Sequence, residues 1–160
     1  METISTSLLM HLEFMKFYGL KEVPRELTNP TIKGWFSDLG YTYDDSTAWC
    51  SCMMNWLAWK LKLERSEALD ARSWLNVGIN VPLNEAKLGD IVIFWREDLM
   101  GWKGHVGLFH GKDDRYIYVG GGNQSDQANT KPYWIDGVKH GFMACRELRT
   151  LEEIKKSTNL

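Results

Sequence analysis

The chain has 160 residues, 44% of them apolar and 25% charged, with a net charge of -2. That is enough for one compact domain and short for two. It gives no electrostatic case for nucleic acid or an anionic membrane. No apolar run is long enough to span a bilayer, and three cysteines do not suggest a disulfide scaffold.

Met1 to Met10 lacks the basic start and small-residue cleavage site of a secretory signal, so the chain is expected to be made in a cytoplasm and to reach any other site by another route. Ser5 to Tyr18 reads as an amphipathic helix, with Leu8, Leu9, Leu12, Met15 and Phe14 as its apolar stripe and Gly19 ending it. His11 on this helix suits surface or packing better than ligation. Lys21 to Thr28 is a connection broken by Pro24. Asn29 caps a second helix that opens on Pro30 and runs through Leu39 to Gly40.

Thr47 reads as the cap of a third helix, with Asp44 and Asp45 just ahead. Ala48, Trp49 and Cys50 are then its first three positions. Apolar residues on nearly every face to Leu63 mark it as enclosed. A thiol in a first turn sits among free N–H groups and the positive end of the helix dipole, which favours thiolate. Cys50 is therefore a candidate nucleophile, the alternative being a buried apolar side chain. Cys52, about 200° round the helix, faces away and reads as core, as does Cys145.

A short helix is expected near Leu69 to Leu75, then breaks at Gly78 and Pro82. Ile91 to Trp95 is a buried strand and Gly104 to Gly111 the next. Tyr116 to Val119 is a third strand, running into Gly120-Gly121-Gly122-Asn123-Gln124. Asp126 to Pro132 reads as a polar loop, Gly141 to Arg146 as a last strand, and the tail from Leu151 as a short helix. Helices first and an antiparallel meander after argue for an α+β fold with helices on one sheet.

A cysteine hydrolase needs a base and a group that orients it. Strand alternation puts His105, Gly107 and Phe109 on one face and Val106, Leu108 and His110 on the other. His105 and His110 therefore cannot both reach one cysteine. His105, opening its strand after Gly104, is the better placed, and His110 is the alternative. His140 falls in an expected loop and reads as solvated. Asn123 is the candidate orienter, its alternative being a turn cap. Gln124 points the other way if the strand continues. No His-Glu-x-x-His and no paired Cys-x-x-Cys suggests a metal. Glu13, Glu22, Asp38 and Glu97 are the carboxylates a glycosidase would draw on, but none has a distinctive context.

The chain resembles the papain-like cell-wall hydrolases of the NlpC type and their CHAP (cysteine, histidine-dependent amidohydrolase/peptidase) relatives, in a small branch common in phage and prophage genomes. The matching stretches are Gly19-x-x-Glu22-x-Pro24, Asn29-Pro30-x-Ile32, Trp49-Cys50 with Asn55-Trp56, Ala71-Arg72-Ser73-Trp74-Leu75, Gly89-Asp90-Ile91-Val92, Gly104-His105-Val106-Gly107 and Gly121-Gly122-Asn123-Gln124-Ser125. Cys52-Met53-Met54 departs from the usual residues after the nucleophile.

The resemblance implies a nucleophile helix packed on a five- or six-stranded antiparallel sheet. It implies a Cys50, His105, Asn123 triad and amide hydrolysis in peptidoglycan, as an endopeptidase or an N-acetylmuramoyl-L-alanine amidase. It implies a single domain: residues 1–46 helical, 47–149 the catalytic core, 150–160 a tail. No cofactor or metal is needed. Trp49, Trp95, Trp102 and Gln124 are the expected substrate-binding residues, with Arg96 and Lys103 for stem-peptide carboxylates. Peptidoglycan is the expected partner, with no nucleic acid. The expected setting is a phage endolysin released to the wall through a holin. An antibacterial effector with an immunity protein, or a binding module that has lost the chemistry, is the alternative.

Overall fold

The computed structural model describes residues 3–23 and 28–158. Pro24, in the expected connection and the Gly19-to-Pro24 stretch, lies outside them. Helix α1 (Thr6–Met15) starts where the Ser5 hydroxyl accepts the Leu8 N–H. Helix α2 (Pro30–Asp38) starts as its sequence dictates. The Asn29 side chain accepts the Thr31 and Ile32 N–H groups, and Pro30 fills a first position that has no N–H to satisfy.

Helix α3 (Cys50–Lys60) begins later than Thr47 would set it. The Asp44 carboxylate takes the Ser46 N–H and hydroxyl, and the Thr47 N–H goes back to the Asp44 carbonyl. The chain closes a turn of its own there. Trp49 becomes the cap with no side-chain hydrogen bond, and Cys50 the first helical residue.

Six antiparallel strands follow: β1 (Ile79–Asn80), β2 (Ile91–Arg96), β3 (Gly104–Lys112), β4 (Tyr116–Gly121), β5 (Asn129–Trp134) and β6 (His140–Glu147), ordered β1-β6-β2-β3-β4-β5. The expected loop from Asp126 to Pro132 is instead largely β5, paired with β4 from Gly121↔Asn129 to Tyr116↔Trp134. Pro132 is tolerated because β5 is an edge strand. Helix α4 (Leu151–Thr158) ends the described chain. The helix expected near Leu69 is a 3-10 turn at Ala71–Asn76.

Two cores hold the sheet. Ile91, Ile93, Val106 and Leu108 face the helices and join Met10, Phe14, Met53 and Leu57. Val92, Phe94, Phe109, Ile117, Val119 and Cys145 form the other face. That face is also buried because the sheet curls. The Ile135 N–H reaches the Arg115 carbonyl and the Phe142 N–H reaches Ile135, drawing β5 and β6 together over Tyr133 and Phe142. Each large apolar side chain so buried contributes about 1.5–3 kcal/mol.

Of the expected stripe on α1, Phe14 faces inward, joined by Ser7 and Met10, while Leu12 and Met15 are exposed. A serine can face inward here because its hydroxyl donates to buried Asp90, which also accepts the Lys87 N–H. Gly89, in the left-handed region at φ +90°, lets α1 approach. A Cβ there would lie 1.8 Å from the Ser7 carbonyl oxygen. Gly89→Ala is therefore expected to cost about 2–4 kcal/mol, from the backbone conformation and the forced shift of α1 together. Urea denaturation read by tryptophan fluorescence measures it.

The matched Asn55 and Trp74 are structural. The Asn55 amide donates to the Ser51 and Ala68 carbonyls and accepts the Glu67 N–H, and the Trp74 indole donates to Ser51 Oγ. This lattice fixes the first turn of α3. No described helix is long and apolar enough to cross a membrane.

Candidate active site

Cys50 opens α3, 7% exposed, against β3. Burial pushes its thiol above the ordinary value, although the Val106, Ser51 and Cys50 N–H groups and the Arg96 charge pull the other way. The N–H groups at the helix start favour thiolate as expected, but desolvation outweighs them.

His105 is the second residue of β3, opposite Phe94 on β2 and 8% exposed. Among the described residues no hydrogen bond joins it to Cys50 in this resting state. Its Nε2 lies 2.8 Å from Gln124 Oε1. The direction of that bond is set elsewhere. Gln124 Nε2 lies 3.1 Å from the Val119 carbonyl and 3.0 Å from both the Asn129 carbonyl and Asn129 Oδ1. Backbone carbonyls only accept, so the Gln124 NH2 must face them and its oxygen must face His105. His105 Nε2 therefore carries the proton and donates it to Gln124, leaving Nδ1 free to accept one. Burial lowers the His105 pKa to about 4, against the Gln124 bond, which raises it; Arg96, His140 and Lys131 lower it further.

The hydrogen bond to the His105 ring thus comes from Gln124 and not from Asn123. Strand β4 ends at Gly121, and Asn123 turns left-handed at φ +57°. The chain doubles back and swings Gln124 inward, where it is 1% exposed. Asn123 is half-exposed, and its side chain makes no hydrogen bond among the described residues. Gly122 seats this turn on α3, since a Cβ there would lie 2.5 Å from the Trp49 ring and 3.1 Å from Met53 Sδ. Asn129 was not anticipated. Its Nδ2 donates back to the Gln124 carbonyl at 3.2 Å, closing a reciprocal clamp.

The expected substrate contacts fare unevenly. Trp49 is fully buried, its indole N–H on Glu22. Gln124 is buried, its amide held by His105, Val119 and Asn129. Trp95 is half-buried with its indole against Gly141. Trp102 is 72% exposed on the loop between β2 and β3. Arg96 and Trp102 line a 160 Å³ cleft with Glu97, Asp98, Gly101 and Lys103. Lys103 is paired with Glu97. The Arg72 guanidinium braces that loop by donating to the Asp98, Leu99 and Lys103 carbonyls. The loop between β5 and β6 carries a second concavity of 450 Å³, lined by Trp134, Val138, His140 and three neighbours. The Glu97 N–H on the Lys139 carbonyl ties the two loops together.

His140, expected in a loop, opens β6, accepts the Trp134 N–H and lies edge-on to Tyr133 at 5.6 Å. His110 meets His11 and Phe14 of α1 and Thr130 of β5. The carboxylates considered for a glycosidase are each tied to a separate local partner. Glu13 pairs with Lys16, Glu22 with Trp49, Asp38 with Trp56 and Glu97 with Lys103. Another concavity, of 540 Å³, lies elsewhere, at Trp59, Lys62 and Leu151. Trp59 is nine residues, about 14 Å, down α3 from Cys50.

A buried thiol at a helix start, packed on a curled antiparallel sheet whose histidine is held by an amide, defines a papain-like α+β fold. It is the fold of NlpC proteins. The chain is similar to the structure of NlpC1 from Trichomonas vaginalis, with 17% identity and a TM-score of 0.57 over 94% of this chain and 47% of that one. It is similar to NlpC2 from the same organism, with 16% identity and a TM-score of 0.56 over 92% of this chain and 48% of that one. The chain spans about half the length of these solved structures. No protein-family model and no curated protein sequence matches it at a significant level.

Proposed function

We propose that the protein is a cysteine hydrolase of peptidoglycan amides, with Cys50 as nucleophile, His105 as base and Gln124 as the group that orients the base. The observation that carries this is the hydrogen bond between His105 Nε2 and the Gln124 amide oxygen, whose direction puts the His105 proton on Nε2 and leaves Nδ1 to accept one. In the attack, the Cys50 proton passes to His105 Nδ1 as sulfur bonds the amide carbonyl carbon. The Cys50 N–H and the positive end of α3 face the charge that builds on oxygen. The imidazolium then protonates the leaving amine. A water molecule, deprotonated by His105, releases the acyl group.

Arg96 is the strongest cation acting on both Cys50 and His105, and it favours negative charge at the site. The flanking concavities suit an extended polymer, and Trp102, exposed among polar neighbours, suits a sugar ring. The papain-like fold shared with NlpC proteins is compatible with this chemistry.

Digestion of purified sacculi, with the new ends identified by mass spectrometry and Cys50→Ala as control, tests this reading. New amine ends within the stem or cross-bridge identify an endopeptidase. A freed lactyl carboxyl identifies an amidase. No new ends from any wall type overturns the hydrolase reading. The same chemistry serves a phage endolysin or an antibacterial effector. A holin gene beside the coding sequence favours the first, and an immunity gene the second.

A further inference from the structure

We infer that Tyr133 is a positioning residue for His105, a rigid plate that fixes the imidazole plane and keeps water off the His105–Gln124 hydrogen bond. This rests on the hydrolase reading only for what His105 does, not for how it is held. A single hydrogen bond at Nε2 fixes one point of the ring and leaves it free to tilt about that point. The face needs its own support. Tyr133 provides it: its ring lies 4.8 Å from the His105 ring, centroid to centroid, and only 10° from parallel.

Tyr133 cannot easily move. Phe94, opposite His105 in the sheet register, lies 5.2 Å from it, and the His140 ring closes edge-on at 5.6 Å. Its backbone is paired with Ile117 on β4. Strand β5 thus holds His105 from two sides. Asn129 fixes the Gln124 that meets its edge, and Tyr133 covers its face. The Tyr133 hydroxyl makes no hydrogen bond among the described residues, so the plate and not the hydroxyl is what this position supplies. Burial raises the Tyr133 phenol above its ordinary range, and the Cys50 charge raises it further. Tyr133 therefore stays neutral and stacks as a flat apolar ring over working pH.

The test uses nuclear magnetic resonance of histidine-labelled protein with Tyr133→Phe, Tyr133→Leu and Tyr133→Ala. Phe keeps the plate, Leu keeps bulk without a flat face, and Ala keeps neither. The His105 Nε2–H signal is expected to persist in wild type and Tyr133→Phe and to be lost to solvent exchange in Tyr133→Leu and Tyr133→Ala. In Tyr133→Ala the His105 pKa is expected to rise by a unit or more from about 4 toward its ordinary value near 6.5. On a substrate the wild type cleaves, kcat is expected to fall about 10- to 100-fold in Tyr133→Leu with KM little changed, and to recover in Tyr133→Phe. A persistent Nε2–H signal in Tyr133→Leu, with the His105 titration unmoved in Tyr133→Ala, overturns the inference. Equal loss in Tyr133→Phe and Tyr133→Leu also overturns it. The resonance readouts need no substrate, so they decide the role of Tyr133 even if the hydrolase reading fails.

Discussion

Cys50→Ala is expected to lower wall hydrolysis on the order of 10⁴-fold or more, since no other described thiol can replace it. Cys52 is on the same helix but fully buried, and burial pushes its thiol up to about 12. Cys145 is buried on the other face of the sheet, its sulfur beside the Asp90 carboxylate. The resting state of Cys50 gives a second readout. With burial raising the thiol above its ordinary value, Cys50 rests mainly as the neutral thiol at pH 7. With His105 near 4, its imidazole is neutral there as well. On the proposed reading the site rests as a neutral pair, and the thiolate forms as the proton crosses during attack. Iodoacetamide is therefore expected to alkylate Cys50 slowly at neutral pH and about tenfold faster with each pH unit toward the thiol pKa. A preformed thiolate–imidazolium pair instead gives a fast plateau from acid to neutral pH, and that plateau in wild type sinks the neutral-pair account. The hydrolytic rate follows the sign of the histidine shift. The base works as neutral imidazole, so kcat/KM holds as pH falls and drops only near the His105 value of about 4.

Much of this site is legible in the sequence where one residue controls its own geometry. Asn29-Pro30 encodes both the cap and the first turn of α2, and the structure keeps both. Ile91 to Trp95 is apolar on every residue because both faces of β2 are buried. His105 and His110 on opposite faces follow from strand alternation alone. The errors come where a residue's role depends on a distant partner. The start of α3 slips to Cys50 because Asp44 spends its carboxylate on Ser46 instead of the helix. Strand β5 was hidden because Lys131-Pro132 reads as a loop, and only its edge position makes that proline acceptable. Trp49 looked like a cleft wall because a tryptophan before a reactive cysteine has no local reason to be buried. The reason is the Gly122 backbone resting on it from 73 residues away. Gln124, rather than Asn123, meets the His105 ring for one cause, a left-handed residue where a continuing strand was assumed.

Gln124→Leu is expected to lower kcat about 10²- to 10³-fold, the second-largest effect at this site. Leucine keeps the buried volume but accepts no proton, so His105 loses the partner that holds its Nε2–H and is free to take the other tautomer. With the proton on Nδ1, the ring cannot accept one from Cys50, and the attack stalls even though nucleophile and base are both present. The cost should fall on kcat rather than KM, because Gln124 is 1% exposed and touches no substrate. Stability should fall as well, by about 1–3 kcal/mol, because the Val119 and Asn129 carbonyls lose the amide that satisfied them. The two effects separate at low temperature, where a folded Gln124→Leu protein should still be slow. Asn123→Ala is the matched control. It removes the neighbour that sequence reasoning favoured and, with no side-chain hydrogen bond to lose, should leave kcat within about threefold of wild type, the ordinary scale of a surface change. Activity that survives Gln124→Leu and dies with Asn123→Ala would return the orienting role to Asn123. It would also mean that the turn at Gly122 is rearranged when substrate is bound.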